Sequence, residues 1–351
     1  MTTTIATSSL IADEHDVLTN PHRYRVLTGD RPTGPLHLGH YLGTLRNRVR
    51  LQDAGVETFV VVADYQVITD RDDPGDISTN VHEIVLDYLA VGLDPQRTPI
   101  FAHSAVGALN QLMLPFLALT TEGELRRNPT VKEEAAAAGV RSRSGLLLTY
   151  PVHQAADILF CGGNLVPVGH DQLPHLETTR TIARRFNQRF AAGAEIFAEP
   201  QALLSSSPRL LGIDGQKMSK SRGNGIALRA SADETAQAFR RAVTDSERLI
   251  TYEPERRPEI ASLLEIGATC EGTTPRALAE QIGTAGAAAL KARVTEAVNE
   301  HLRPCRARRA ELAADHAVVN DALRAGAARA NEIANRTLRT VHDALGMIYT
   351  P

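Results

Sequence analysis

The stretch YRVLTGDRPTGPLHLGHYLG at residues 24–43 decides the fold class of this chain. Residues 24–28 form a short apolar run that ends at Gly29, and a turn rich in glycine and proline follows. A helix is predicted next, over residues 36–53. A strand that passes through such a turn into a helix predicts the first unit of a layered α/β fold.

The segments that follow repeat this alternation. The β-branched run FVVVA at residues 59–63 suits a strand that is buried on both faces of a parallel sheet. A helix over residues 77–91 and a strand over residues 99–102 come next. We therefore expect an α/β fold with a Rossmann-like, doubly wound parallel sheet. Such sheets bind ligands beyond the carboxyl ends of their strands, so the loops after Thr28, Ala63, Ala102 and Val168 are the candidate ligand loops.

The second half of the chain has a different pattern. Residues 106–189 are mainly helical and resemble an insertion before the last strand, residues 165–168, or a segment that packs beside it. From residue 229 onward the chain is predicted to be all helix, with Pro304 interrupting one of the helices. We expect a loose N-terminal tail (1–20), an α/β domain (21–228) and a helical domain (229–351).

Composition narrows the class of protein. The length of 351 residues suggests two or three domains, and 43% hydrophobic and 23% charged residues indicate a soluble globular protein. No apolar run approaches the roughly 18 residues that a membrane span requires, and no signal peptide is visible. We therefore expect a cytoplasmic protein without a membrane span. The three cysteines lack metal-ligand spacing and are expected to be reduced thiols. A net charge of −3 does not favour general nucleic-acid affinity.

Lysine is scarce, which draws attention to one loop. Only four of the 38 Lys and Arg residues are lysines. Two of them, Lys217 and Lys220, lie in GQKMSKS at residues 215–221, with glycines on both sides. Lysine is a compact charge on a flexible stem, and glycines let a backbone approach a ligand closely. The loop is therefore either a mobile phosphate-binding segment or a polar surface turn.

His37 and His40 begin the helix after the first turn. They are three residues apart, so they share one helical face, and their imidazoles could donate hydrogen bonds to a phosphate. Gly39 between them leaves room for a base or a ribose. The alternative is two histidines on a partly exposed helix start. The stretch lacks the glycine patterns of a P-loop and of a dinucleotide fold, which disfavours both.

Lys132 lies near the start of another predicted helix, in the capping pattern TVKE at residues 130–133. A cation in the first turn opposes the helix dipole, as a charge that faces a ligand would. A solvated lysine explains the position equally well.

A polar stripe runs along the helix that contains YPVHQAADIL at residues 150–159, with Pro151 suited to the first helical position. The stripe consists of Tyr150, His153, Gln154 and Asp157, and the positions around it are apolar. It is either a solvent face or the wall of a pocket. Asp157 could accept the N–H of an indole or the O–H of a phenol, and the spacing does not decide between them.

Two of these motifs resemble the signatures of class I aminoacyl-tRNA synthetases. His37–His40 (HLGH) is similar to the HIGH signature and residues 217–221 (KMSKS) match the second, 177 positions after His40. The wider stretches 28–43 and 165–177 look like tryptophanyl-tRNA synthetases of bacteria. The resemblance covers residues 24–349.

The resemblance implies a tryptophan–tRNA ligase that uses ATP and Mg²⁺, takes L-tryptophan and tRNA(Trp), and forms a homodimer. It assigns the charge-stabilising roles to His37, His40, Lys132, Lys217 and Lys220. It assigns ATP binding to Arg31, Gly39, His40, Gly169, Asp171, Lys217, Met218, Ser219, Lys220 and Ser221. It assigns tryptophan binding to Tyr150, Gln154, Asp157 and Gln172, with Asp157 on the indole N–H and with Tyr150 and Gln172 on the α-ammonium group.

The sequence departs from that family at His170 and at the pair His153–Gln154. His153 is either a group that changes the pH response of the pocket or a buried, satisfied histidine. A tyrosyl-tRNA synthetase, a small nucleotidyltransferase and a non-catalytic paralogue are the alternative functions. The candidate tRNA contacts are four arginines of the helical domain: Arg303, Arg306, Arg308 and Arg309. The alternative is that this run of arginines is a solvated helix face.

Overall fold

The computed structural model describes residues 10–69, 73–137, 144–169, 172–204, 210–220 and 222–349. Its centre is one sheet of five strands: β1 (Arg25–Asp30), β2 (Glu57–Val62), β3 (Ile100–Ala102), β4 (Leu165–Val168) and β5 (Gln201–Leu204). The spatial order is β3-β2-β1-β4-β5, and each pair of neighbours is parallel. This order reverses direction beside β1, so the fold is the predicted Rossmann-like, doubly wound sheet.

Helices cover the sheet and form the C-terminal part. Those before and within the sheet region are α1 (Glu14–Thr19), α2 (Leu38–His40), α3 (Arg46–Asp53), α4 (Ile77–Val91), α5 (Gly107–Leu117), α6 (Glu122–Arg127), α7 (Pro129–Ala137), α8 (Gly145–Leu159) and α9 (Leu173–Phe190). Those after it are α10 (Ala232–Arg241), α11 (Pro258–Glu271), α12 (Pro275–Ile282), α13 (Ala287–Ala313) and α14 (His316–Ala344). A π-helical turn, Tyr41–Leu45, joins α2 to α3.

Strand β2 shows why the sheet is covered on both sides. Val60 and Val62 belong to one hydrophobic cluster, with α4 and the helices α11 and α13. Phe59 and Val61 point the other way, into a cluster with α5, α8, α9 and α14. Alternate residues of a strand face opposite sides, so this uninterrupted apolar run fills two cores at once, as its sequence predicted.

The last helix packs back onto the sheet. A Cβ atom at Gly326 of α14 would lie 1.9 Å from the carbonyl oxygen of Ile100, so glycine is required where this helix crosses β3. Ala334, Leu338 and Val341 of α14 are buried in the same cluster as Phe101 of β3. The C-terminal helix therefore helps to form the core beneath the sheet.

The structure corrects several predicted boundaries. Residues 165–168 form a strand, but it is not the last one, because β5 pairs with β4 from Gln201 to Leu204. The four-residue run QALL was too short to distinguish from a loop. Pro304 does not interrupt a helix, since α13 runs through it from Ala287 to Ala313. Pro151 lies inside α8, which begins six residues earlier behind the N-cap Ser144.

Two further corrections concern the first residue of α7 and the N-terminal part of the chain. Helix α7 begins at Pro129, and Asn128 Oδ1 accepts hydrogen bonds from the backbone N–H groups of Thr130 and Val131. Asn128 thus caps this helix instead of Thr130. The prediction of a loose tail is wrong for residues 10–20, because Val17 of α1 is completely buried and Ala12 N donates to Ala202 O of β5.

The three cysteines are free. Across the part of the chain that the structure describes, no helix combines the length and the apolar character that a membrane crossing requires.

Candidate active site

A cleft of about 370 Å³ lies at the carboxyl ends of β1, β2 and β4, within the usual range for a small-molecule site. The registers align Asp30 with Val62, and Val62 with Ala102, so three strands end at one edge. The predicted site residues that line the cleft are Arg31, Tyr150, Gln154, Asp157, Gly169 and Gln172. It extends from the face of α8 to the loop that contains Arg31.

Helix α8 forms the wall of one end, where Tyr150, Gln154 and Asp157 line the cavity. We call this end, together with His153 of the same helical stripe, the α8 pocket. Tyr150, His153 and Asp157 are buried, and Gln154 is partly exposed. The polar stripe of this helix is therefore a pocket wall and not a solvent face. Tyr150 Oη lies 2.9 Å from Nε2 of His175, a fully buried residue of α9.

His153 is held on both sides by amide groups. Asn110 uses its Nδ2 to donate to the carbonyl oxygens of His103 and Val106, so its Oδ1 faces His153 Nε2 at 2.8 Å as an acceptor. Gln66 Nε2 lies 2.9 Å from His153 Nδ1 and donates to it. This network fixes a neutral imidazole with its proton on Nε2. Burial lowers the pKa of His153, which favours the same neutral form.

His103, the residue after β3, lies beside this network. It is completely buried, and its Nε2 is 2.8 Å from Oδ1 of Asp157, at an angle that does not make a hydrogen bond. Its ring packs against that of His153, with 4.5 Å between the ring centroids. Asp157 thus has a buried imidazole as its immediate neighbour.

The histidine turn, His37–His40, and the lysine loop, residues 212–225, adjoin the other end of the cleft, where Lys220 contacts Arg31 of the cavity lining. The two segments are joined by backbone pairing, because Leu38 N donates to Ile226 O at 2.8 Å. Gly39 N approaches Met218 Sδ at 3.2 Å. The space expected beside Gly39 is thus occupied by the Met218 side chain in this structure.

The two histidines of the turn are in contact and neutral at pH 7. Their ring centroids are 3.8 Å apart. Burial, with a smaller effect from the nearby charge of Lys220, lowers the pKa of His37 to about 4. Burial also lowers the pKa of His40 to about 3. His40 Nδ1 accepts a weak hydrogen bond from His37 N at 3.2 Å, so His40 Nε2 carries the proton. Neutral imidazoles can still donate N–H bonds to a ligand.

Lys220 is anchored inside the site. Its Nζ donates to the carbonyl oxygen of Arg31 at 3.0 Å, and burial lowers its pKa although Asp30 nearby favours the charged form. Burial alone would raise the pKa of Asp30, but the buried Arg48 guanidinium, 2.7 Å away, brings it well below its usual range. Tyr88 also donates to this carboxylate at 2.6 Å. A buried anion therefore lies beneath the lysine.

The lysine loop has its own internal support. Gly212 N donates to Gln216 O at 2.7 Å, which closes a short hairpin. The buried Asn224 accepts from Ser219 N at 2.9 Å and donates to Asp214 at 2.7 Å and to Lys217 O at 3.1 Å. The backbone of the loop is thus ordered by hydrogen bonds, while the side chain of Lys217 is exposed.

The remaining predicted residues are not brought into the cleft. Lys132 is exposed on α7 and does not line the cavity. His37, His40, Met218, Ser219 and Lys220 adjoin it through the histidine turn and the lysine loop. Asp171 and Ser221, like His170, lie outside the described residues.

Sequence reasoning missed several residues that support the site. They are Asp30, Arg48, Gln66, His103, Asn110, His175 and Asn224. Asp30 ends β1, and Asp64 and His103 follow the ends of β2 and β3, so the topology rule pointed to His103 without assigning it a role. The buried partners Arg48 and Asn110 carry no comparable signal, because their contacts are formed between distant parts of the chain.

Comparison with known proteins places this arrangement in context. The profile of the family described as tRNA synthetases class I (W and Y) matches residues 19–303. The chain is 40% identical over 334 residues to the tryptophan–tRNA ligase of Treponema pallidum, across 93% of this chain and 98% of that protein. It is 38% identical to the tryptophan–tRNA ligase of Clostridium longisporum, across 92% and 97%. A Campylobacter jejuni tryptophanyl-tRNA synthetase, solved with ADP and tryptophan, superposes with a TM-score of 0.78 at 30% identity, covering 92% of this chain and 99% of that one.

Proposed function

This chain belongs to the class I tRNA synthetases for tryptophan and tyrosine and is a tryptophan–tRNA ligase, and from this premise we propose how its cleft performs the reaction. The identity of about 40% over almost the full length is the observation that carries the assignment. In the first step the tryptophan carboxylate attacks the α-phosphorus of ATP and displaces diphosphate. In the second, the terminal ribose hydroxyl of tRNA takes the tryptophanyl group and AMP leaves.

The α8 pocket is proposed to bind tryptophan. A buried carboxylate, Asp157, accepts the indole N–H. Tyr150 and Gln172 hold the α-ammonium group, and Gln154 forms part of the wall. All four residues line one cavity, which supports a single binding site.

The other end of the cleft is proposed to bind ATP. Arg31 and Gly169 line the cavity, and Gly39, His40, Met218, Ser219 and Lys220 adjoin it. We assign Asp171 and Ser221 to the same site from the motif alone. Mg²⁺ enters as part of the substrate Mg·ATP, since this ion is usually held by phosphates together with few protein ligands.

Charge on the phosphates is proposed to be stabilised by His37, His40, Lys132, Lys217 and Lys220. No covalent nucleophile is needed, because positioning and electrostatic stabilisation can supply the acceleration. In the structure Lys132 and Lys217 are exposed and Lys220 contacts the Arg31 carbonyl. Catalysis by Lys217 therefore requires the lysine loop to close on the nucleotide, and catalysis by Lys132 requires α7 to approach it.

The tRNA is expected to contact the helical part of the chain, residues 229–351, which we keep as a proposed tRNA-binding domain. Within the arginine run on α13, Arg303 and Arg308 are exposed and stay candidates, whereas Arg306 and Arg309 are engaged within the protein. Arg309 pairs with Asp87 and Glu83 of α4, and Arg306 donates to Asn299 and Thr235. The homodimer and the cytoplasmic location remain predictions.

The experiment that tests the assignment is ATP–diphosphate exchange with tryptophan and, separately, with tyrosine, followed by charging of tRNA(Trp). We expect exchange and charging with tryptophan only. Exchange with tyrosine would favour the tyrosyl enzyme, and exchange without charging would point to a small adenylyl-transferring enzyme. Absence of both would indicate a non-catalytic paralogue. The chain contains no tryptophan, so the fluorescence of bound substrate reports binding without protein background.

A further inference from the structure

Three buried side chains meet at the end of the α8 pocket. One ligand atom from each of His103, His153 and Asp157 lies within 4.8 Å of the others. They come from three places in the chain: the end of β3 and two turns of α8. Such a group can either hold a metal ion or form a hydrogen-bonding scaffold for the carboxylate.

The contacts of His153 argue against a metal ion. A protein zinc site commonly uses three or four side-chain ligands, and each histidine must offer an unprotonated nitrogen. His153 Nε2 donates to Asn110 Oδ1, and His153 Nδ1 accepts from Gln66. Neither nitrogen is available without breaking a buried hydrogen bond.

His103 differs from His153, because its ring nitrogens have no hydrogen-bond partner within the described parts of the chain. Its ring is fixed by packing against His153 and by stacking with Tyr65, at a centroid distance of 6.5 Å. Its Nε2 faces Asp157 Oδ1 at 2.8 Å. A small turn of the carboxylate would convert this contact into a hydrogen bond.

We propose that His103 is a positioning residue for tryptophan selection: its Nε2–H holds Oδ1 of Asp157, so that the other carboxylate oxygen faces the indole N–H. The inference rests on the proposed role of Asp157 in tryptophan binding. A carboxylate with one oxygen held in place loses less rotational freedom when the substrate binds. His153, held by its two amides, supports the His103 ring from the side.

The test uses a substrate pair and a variant pair. The substrates are tryptophan and β-(3-benzothienyl)alanine, which has nearly the same shape but sulfur in place of the N–H. The variants are His103→Gln, which keeps a donor, and His103→Met, which has a similar size and no donor. ATP–diphosphate exchange gives KM and kcat for each combination, and thermal melting checks that each variant is folded.

We expect His103→Met to lower kcat/KM for tryptophan by about 10- to 100-fold, mainly through KM, as for loss of a hydrogen bond to a charged group. The benzothienyl substrate should change by less than about threefold, since it makes no N–H contact. His103→Gln should retain most of the preference for tryptophan. The KM for ATP should not change in either variant. If His103→Met fails to fold, the pair His103→Asn and His103→Leu replaces it.

The outcomes separate the inference from its premise. If the parent shows no preference for tryptophan over the benzothienyl substrate, the role of Asp157 fails. If the parent shows the preference and the donor-free variant keeps it, the His103 inference is overturned while Asp157 stands. Equal losses for both substrates would also overturn it, because they indicate a general packing role. Calorimetric titration with Zn²⁺ alone supplies a further check: one tightly bound ion in the parent, lost in His103→Met, would identify a metal site instead.

Discussion

The two ends of the cleft differ in how completely they are assembled. At the α8 pocket, the side chains of Tyr150, His153 and Asp157 are buried, and the first two have hydrogen-bond partners from other elements. At the opposite end, Lys132 and Lys217 are exposed. Lys220 is the exception, because it is held by the Arg31 carbonyl. The α8 pocket is thus assembled in this structure, whereas two of the three lysines assigned to the opposite end are exposed to solvent.

This difference follows from what each end has to do. Selection of an amino acid depends on small differences in shape and hydrogen bonding, which a fixed, buried frame measures best. Stabilisation of a phosphate in the transition state requires charges that surround it and exclude water, yet the nucleotide must first enter. We propose that the cleft combines a rigid recognition end with a catalytic end that closes on the nucleotide.

The largest expected effect is at the closing end. Lys217→Ala removes an exposed charge that we expect to act only after the loop closes. ATP–diphosphate exchange should slow by a factor of about 10² to 10³, equivalent to roughly 3–4 kcal/mol. The KM for tryptophan should stay within about twofold, because the α8 pocket is untouched. The control is Lys291→Ala, which removes a lysine of α13. Unchanged turnover in Lys217→Ala would refute the assignment of the loop.

The fold could be predicted from sequence where the pattern is local and strong. The β-branched run of β2 and the helix Ile77–Val91 were located correctly, because alternation and helical periodicity repeat within a few residues. The strand Gln201–Leu204 was missed, because four residues carry little periodic signal. Residues 10–20 looked like a polar tail, but Ile11, just before α1, pairs with Ala202 of β5, almost 200 positions away along the chain.

Candidate site residues could be predicted where they belong to a recognisable sequence motif. The histidine turn and the lysine loop were found in this way, and the structure brings them into contact through Leu38 and Ile226. The supporting groups could not be found, since Asn110 and His103 act only through tertiary contacts. The stripe on α8 left two readings open, a solvent face or a pocket wall, and burial of Asp157 decides for the pocket wall.

The next prediction concerns His37, which is already buried at the closing end of the cleft. The pKa of His37 is lowered from 6.5 to about 4 by burial. The unfolded chain therefore binds a proton between these values that the folded chain does not, so folding stability is full above pH 6.5 and is lost as the pH falls. Between pH 7 and pH 5 this residue should lower the free energy of unfolding by about 2 kcal/mol.

The measurement is urea unfolding of the parent and of His37→Asn at both pH values. Asparagine is a good N-cap residue, so the start of α2 should be retained. The variant should lose less stability on acidification than the parent. A control, His15→Asn, replaces an exposed histidine. The same pH dependence in His37→Asn and in the parent would mean that the histidine turn is not desolvated before the nucleotide arrives, and the closing end would be even less assembled than proposed.

A smaller effect is expected in a direct test of closure. Endoproteinase Lys-C cuts after lysine, and the chain has only four lysines, so each cut can be assigned by mass spectrometry. An α,β-methylene ATP analogue with tryptophan, both at about ten times Kd, should slow cleavage after Lys217 about tenfold, because ligand binding reduces the population of the open loop. Lys291, distant from the cleft on α13, is the internal reference. Equal rates of cleavage after Lys217 with and without ligands would argue that the loop does not close.

The smallest effect is expected at the finished end, at His153. Burial lowers its pKa, and the amides of Gln66 and Asn110 hold the neutral form, so the ring should not change charge between pH 6 and 8. The KM for tryptophan should therefore depend on pH in the same way in the parent and in His153→Leu. The variant should lose about 1–3 kcal/mol of stability, because the buried amide of Gln66 and the partly buried amide of Asn110 lose their partner. Profiles that differ between pH 6 and 8 would show that the imidazole titrates within the pocket, and the recognition end would then be less rigid than its hydrogen bonds indicate.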